Sequence, residues 1–85
     1  MDRELAHTEA IDMLRRRLAK GWSRQQIVST IFEGSCGPSS HGYLIRGGRI
    51  YLPHPRDLRP ESAEHSFALG ELIDEIESPQ GVLFG

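Results

Sequence analysis

Apolar side chains in the first third of the chain recur at helical intervals. Ile11, Leu14 and Leu18 fall on one side with Ala10 beside them, while Arg15, Arg16, Arg17 and Lys20 fill the rest of the circumference. This spacing predicts an amphipathic helix over residues 3 to 20. Gly21 stands where a left-handed terminator belongs. Ser23-Arg24-Gln25-Gln26 has the Ser-x-x-Gln form of a capping box, and Trp22 ahead of it is placed to pack on Ile27 as a hydrophobic staple. A second helix is therefore expected from Ser23 to about Glu33, with Ile27, Val28, Ile31 and Phe32 inward and Gly34 as its stop.

The period then changes. Gly34 to Gly42 are turn formers with almost no apolar content, which predicts a loop. Tyr43-Leu44-Ile45-Arg46 and Arg49-Ile50-Tyr51-Leu52 flank Gly47-Gly48, the signature of a β-hairpin with a two-residue turn. That turn sets Arg46 opposite Arg49, Ile45 opposite Ile50, Leu44 opposite Tyr51 and Tyr43 opposite Leu52. Alternation puts Tyr43, Ile45, Ile50 and Leu52 on a core face, and Leu44, Arg46, Arg49 and Tyr51 on the other. Pro53 ends the hairpin, and the proline-rich residues 53 to 60 read as an extended basic connection. A third, acidic helix is expected over residues 60 to 78, opened by Pro60 and buried through Leu69, Leu72, Ile73 and Ile76. Residues 79 to 85 are unusually apolar for a chain end. An isolated hairpin is marginal, so Val82, Leu83 and Phe84 are candidates for a third strand or a partner-facing tail.

These elements define an α+β class, a single α-α-β-β-α domain spanning residues 1 to 85 with its helices on one face of a short antiparallel sheet. It divides into a helical hairpin at 1 to 33, a loop, β-hairpin and basic connection at 34 to 59, the acidic helix at 60 to 78 and the tail. With 85 residues the chain has material for one core. No apolar run approaches the roughly 20 residues that span a bilayer, and the first residues lack the pattern of a signal peptide, so a cytoplasmic protein with no membrane contact is expected. The single cysteine, Cys36, has no internal disulfide partner.

Charge changes the picture more than composition does. The net charge of −2 opposes a protein that grips a phosphate backbone. Yet residues 1 to 14 carry one arginine against four acids, −3; residues 15 to 59 carry nine bases against two acids, +7; and residues 60 to 85 carry six acids and no base, −6. A basic centre lies between acidic ends, and the two signs either pair with each other or leave an anion-facing patch.

Two groups of residues could carry chemistry. Arg46 and Arg49 oppose each other across the turn, where like charges repel, and an anion between them, met by the amides of Gly47 and Gly48, would relieve the repulsion. Ser39, Ser40 and His41 precede the hairpin while His54 and Arg56 follow it, and strand pairing brings these ends together. A histidine among cations there suits acid–base cleavage of a phosphodiester. Cys36, His41 and His54 match no zinc spacing, so neither a metal nor a cofactor is expected.

Ser40-His41, the hairpin, and Gly48-Arg49-Ile50-Tyr51-Leu52-Pro53-His54-Pro55-Arg56-Asp57-Leu58 resemble the HicA family of toxin mRNA interferases over about 20 residues. The resemblance implies a double-stranded-RNA-binding-like fold and RNA cleavage by His41. The chain departs from that family in its second helix, its shorter hairpin, its acidic final helix and its acidic net charge. A helix-turn-helix DNA-binding reading takes Pro38 to Arg46 as recognition helix and the hairpin as wing, but the central Gly42 weakens it. The reading that demands least is a small regulatory or inhibitory binding protein of the mobile-element, phage or toxin–antitoxin type. Its expected partner is another protein, with RNA or DNA through the basic centre as alternatives and a homodimer as a further expectation. Arg46, Arg49, Tyr51, His54 and Arg56 are the candidate binding residues. The acids of the third helix are candidates for mimicry of nucleic-acid charge.

Overall fold

The computed structural model describes residues 1–34, 42–55 and 57–77, with Glu33 and Gly34 described through their backbone alone. His41, Arg56, Val82, Leu83 and Phe84 lie outside the described residues, as do Cys36, Ser39 and Ser40.

Helix α1 spans Arg3–Ala19 and is opened by Asp2, whose carboxylate accepts the Leu5 amide at 2.7 Å. Arg16 and Arg17 lie in its last turn, where cations suit the negative helix end, and Gly21 ends it with φ +96°. The expected capping box is complete. Ser23 Oγ accepts the Gln26 amide at 3.1 Å and Gln26 Oε1 accepts the Ser23 amide at 2.8 Å, opening helix α2, Arg24–Ser29.

Strands β1 (Phe32–Gly34), β2 (Tyr43–Arg46), β3 (Arg49–Leu52) and β4 (His65–Ala68) form an antiparallel sheet in the order β1-β2-β3-β4, and helix α3, Leu69–Glu77, follows β4 directly. The hairpin register is the expected one, with Arg46 opposite Arg49, Ile45 opposite Ile50 and Leu44 opposite Tyr51. Gly47 and Gly48, at φ +60° and +78°, have the left-handed pair of a type I′ turn.

Both long helices lie on one sheet face. Tyr43, Ile45, Ile50, Leu52 and Phe67 meet Ala6, Ala10, Met13 and Leu14 of α1, Ile27 of α2, and Leu69, Leu72 and Ile73 of α3 in a single buried cluster. Each large aliphatic side chain sealed there contributes about 1.5–3 kcal/mol of transfer free energy. The α1 stripe is rotated from the expected one: Ala6, Ala10, Met13 and Leu14 are buried, whereas Ile11 and Leu18 pack at its margins.

The α+β class stands, and three expectations are corrected. The second helix stops at Ser29, and Phe32–Gly34 form a strand instead of its last turn, leaving Ile31 75% exposed and Phe32 41% exposed where both were expected inward. β-Branched Thr30 and Ile31 favour extended backbone, and pairing of β1 with β2 decides the outcome. Residues 60 to 68 are not helical in the expected way. Pro60–Ser62 make one 3-10 turn, and His65–Ala68 pair with β3 as an outer strand. Among the described residues, the strands added to the hairpin are 32–34 and 65–68. The recognition helix required by the helix-turn-helix reading is also overturned, since Tyr43–Arg46 are a strand.

Candidate functional site: the open face of the sheet

Strand alternation and the register place Leu44, Arg46, Arg49, Tyr51, Ser66 and Ala68 on the sheet face opposite the helices. Arg46 and Arg49 are exposed at the hairpin tip, directly opposed. Arg49 Nη2 donates to Ser66 Oγ at 3.0 Å, which orients its guanidinium across the face toward β4. Tyr51, half-buried, sits beside Ser66 in register. Leu44 departs from the polar expectation for this face: it is 1% exposed yet outside the main core cluster.

A shallow, open groove of about 660 Å³ runs from Arg49, Tyr51 and Ser66 to Glu61, Ala63 and Glu64. A second depression of about 330 Å³, lined by His54, Asp57, Ser62 and Glu64 among others, adjoins it through the shared Glu64. The connection after β3 is therefore not simply extended. Leu58 donates its amide to the Pro55 carbonyl at 2.9 Å and adopts φ +62°, and Asp57 accepts from the Arg59 amide at 3.1 Å and from Ser62 Oγ at 2.8 Å. Those two donors, the Arg59 amide first, hold the Asp57 carboxyl below the usual carboxylate range.

The structure thus brings Arg46, Arg49 and Tyr51 together and puts His54 at the rim of the adjoining depression. Besides Ser66, sequence reasoning missed the opposite wall, Glu61 and Glu64, because residues 60 to 68 were assigned to a helix. Their carboxylates give the groove both signs of charge. The amide of Leu69 donates to the Gly48 carbonyl at 2.9 Å, so the turn expected to offer an anion its amides is tied through its carbonyl to the start of α3.

The acidic helix is partly neutralised. Asp74 is paired with Arg24, which also donates to the Gly70 carbonyl at 3.3 Å, and the Glu75 carboxylate lies 3.1 Å from His7 Nε2. The hydrogen bond from Arg24 lowers the Asp74 pKa, and the same bond raises that of Arg24. Among the described residues no group of histidine, cysteine or carboxylate side chains is arranged to hold a metal, and no helix is long and apolar enough to cross a membrane.

A scan against protein-family models finds no match, and searches of curated proteins and of solved structures find none either.

Proposed function

We propose that this chain is a small regulatory or inhibitory protein that acts by binding another macromolecule, most simply a protein, through the open sheet face. The observation that carries this reading is the contrast between the two faces. One is filled by α1 and α3, while the other presents Arg46, Arg49 and Tyr51 beside a groove walled by Glu61 and Glu64. Two opposed arginines at an exposed tip work against hairpin stability, and a surface that keeps them is explained by a partner carrying carboxylates or phosphates. A wide groove with both signs of charge suits a macromolecular surface better than a small substrate, which is usually enclosed.

A photo-crosslinking amino acid at position 51 tests this, with the same group at Glu71 on α3 as control. Crosslinks to a partner are expected at position 51 alone, and their loss when Arg46→Glu and Arg49→Glu are combined. Crosslinks at Glu71 only, or insensitivity to the two charge reversals, would overturn the reading.

A HicA-like RNA-cleaving activity is the second reading. Its support is the resemblance around the hairpin together with antiparallel strands that lead into a final helix; β1 replaces only the expected end of the second helix, and α2 still stands between α1 and the sheet. Fold order alone does not carry activity. Incubation of the protein and of His41→Ala with RNA in excess chelator decides it: cleavage by the first alone supports the interferase, and cleavage by neither removes it.

A further inference from the structure

A second surface lies at the other side of the sheet. Strand β1 is an outer strand, paired among the described residues with β2 alone, so one of its edges offers backbone groups without a strand partner. Beside it are exposed Ile31 and Phe32. The Arg17 guanidinium stands 4.6 Å from the Trp22 ring centroid and 5.1 Å from that of Phe32, and Phe32 touches Tyr43 with centroids 5.7 Å apart. Arg17 Nε also donates to Met13 Sδ at 3.2 Å, so this cation is held in place before any ligand arrives. A depression of about 240 Å³ opens here, and its lining includes Arg16, Arg17 and Lys20 with Trp22 and Tyr43 but no acidic residue.

We propose that the outer edge of β1, with no strand partner among the described residues and with Arg17, Trp22 and Phe32 beside it, docks an extended acidic peptide that joins the sheet as a further strand. Three features converge on that occupant. The strand edge supplies main-chain hydrogen bonds, the exposed Ile31 takes the apolar side chains of one parity, and Arg17 and Lys20, on the face of Phe32, meet the carboxylates of the other. A nucleic acid would use the rings and cations but leave the strand edge unanswered. A second copy paired β1 to β1 about a two-fold axis would set each cationic patch beside its own image, and like charge disfavours it. This surface is distinct from the open face, so the two are tested separately.

Trp22 is the chain's single tryptophan, and its emission reports on the site directly. The probe is a short blocked peptide alternating aspartate with valine, compared with lysine–valine and serine–valine counterparts and with an oligouridylate. A saturable change in Trp22 emission is expected with the aspartate peptide and not with the lysine peptide. Lys20→Glu, an exposed position, should weaken it by about tenfold, the size of turning an attraction into a repulsion at a surface ion pair. N-methylation of alternate peptide amides should abolish binding in one parity and spare it in the other. An equal response to the lysine peptide, indifference to N-methylation in both parities, or no response at all overturns the proposal. Saturation by the oligouridylate in place of the peptide assigns the surface to nucleic acid. A concentration-dependent emission change accompanied by dimeric mass assigns it to a second copy.

Discussion

Replacing Arg46 by glutamate should stabilise the fold while impairing the open face. Arg46 stands opposite Arg49 in the hairpin, and among the described residues no acid pairs with it. A like-charge pair in that position costs several tenths of a kcal/mol, and an opposite-charge pair contributes about 0.2–1 kcal/mol. The reversal removes the first and adds the second, about 0.5–1.5 kcal/mol in all, discounted toward the lower end because both groups are exposed. In a domain of this size that raises Tm by roughly 3–10 °C. Arg46→Ala should give the smaller part, since it only removes repulsion. Urea unfolding followed by Trp22 emission measures both, at low salt and at about 1 M salt, where the screening length is about 3 Å and the gain should shrink markedly. A destabilised Arg46→Glu protein, or a gain indifferent to salt, would refute the electrostatic account of the turn. A stabilised protein whose crosslink at position 51 is weakened would show that the arginine pair is kept at the expense of stability.

Three further outcomes follow from the packing and the ionisable groups. Gly47 has φ +60° with open space where a Cβ would stand, so Gly47→Asn, giving the Asn-Gly pair favoured in type I′ turns, should stabilise by about 0.4–1 kcal/mol in the same urea assay. Ile50, fully buried between Ile45 and Phe67, should cost about 2–5 kcal/mol as Ile50→Ala, enough to lower the urea midpoint severely. Asp57 and Asp74 are both held below the ordinary carboxylate range, the first by the Arg59 amide and Ser62 and the second by Arg24. A depressed carboxyl stabilises the fold above its unfolded value, about 3.9, and that contribution is lost as pH falls through the folded value. Melting curves should therefore be level near neutrality and fall below about pH 4. The Asp57→Asn, Asp74→Asn double variant should show a shallower acid limb, and an unchanged limb would place the acid sensitivity elsewhere.

The hairpin was legible because its cues are local and agree. Two alternating runs around Gly-Gly fix both the turn type and which residues face the core, and Ser23 and Gln26 announce α2 in the same way. The inward stripe of α3 was legible from Leu69, Leu72 and Ile73. Strand β4 was not. His65-Ser66-Phe67-Ala68 contains no β-branched residue, and it is a strand because it pairs with β3 from His65 opposite Leu52 to Ala68 opposite Arg49. The groove opposite Arg49 depends on that pairing, so half of the candidate site was invisible until the sheet was assembled. Exposure of Ile31 and Phe32 was hidden for a related reason. A short apolar pair reads equally well as helix or strand, and only the second reading turns it toward the outer edge of β1.

The division of the chain into acidic ends and a basic centre resolves into specific pairs. Asp12 takes Arg16, Asp74 takes Arg24, and Glu75 lies against His7, so two of the acids of α3 have partners within the fold. The cations left outside these ion pairs include Arg46 and Arg49 on the open face and Arg17 and Lys20 beside β1. These groups lie on opposite faces of the sheet but flank the same strand pair. Phe32 is opposite Ile45, so continuing the antiparallel register by one residue sets Ile31 opposite Arg46. A strand added beyond β1 alternates its side chains between the two faces. One parity would meet Arg17 and the other would point toward the face that carries Arg46. If a single acidic segment serves both surfaces, Arg46→Glu should weaken a peptide that carries aspartate at both parities, as seen by Trp22, by less than Lys20→Glu does because another strand intervenes. Equal affinity in wild type and Arg46→Glu would make the two surfaces independent, each with its own partner.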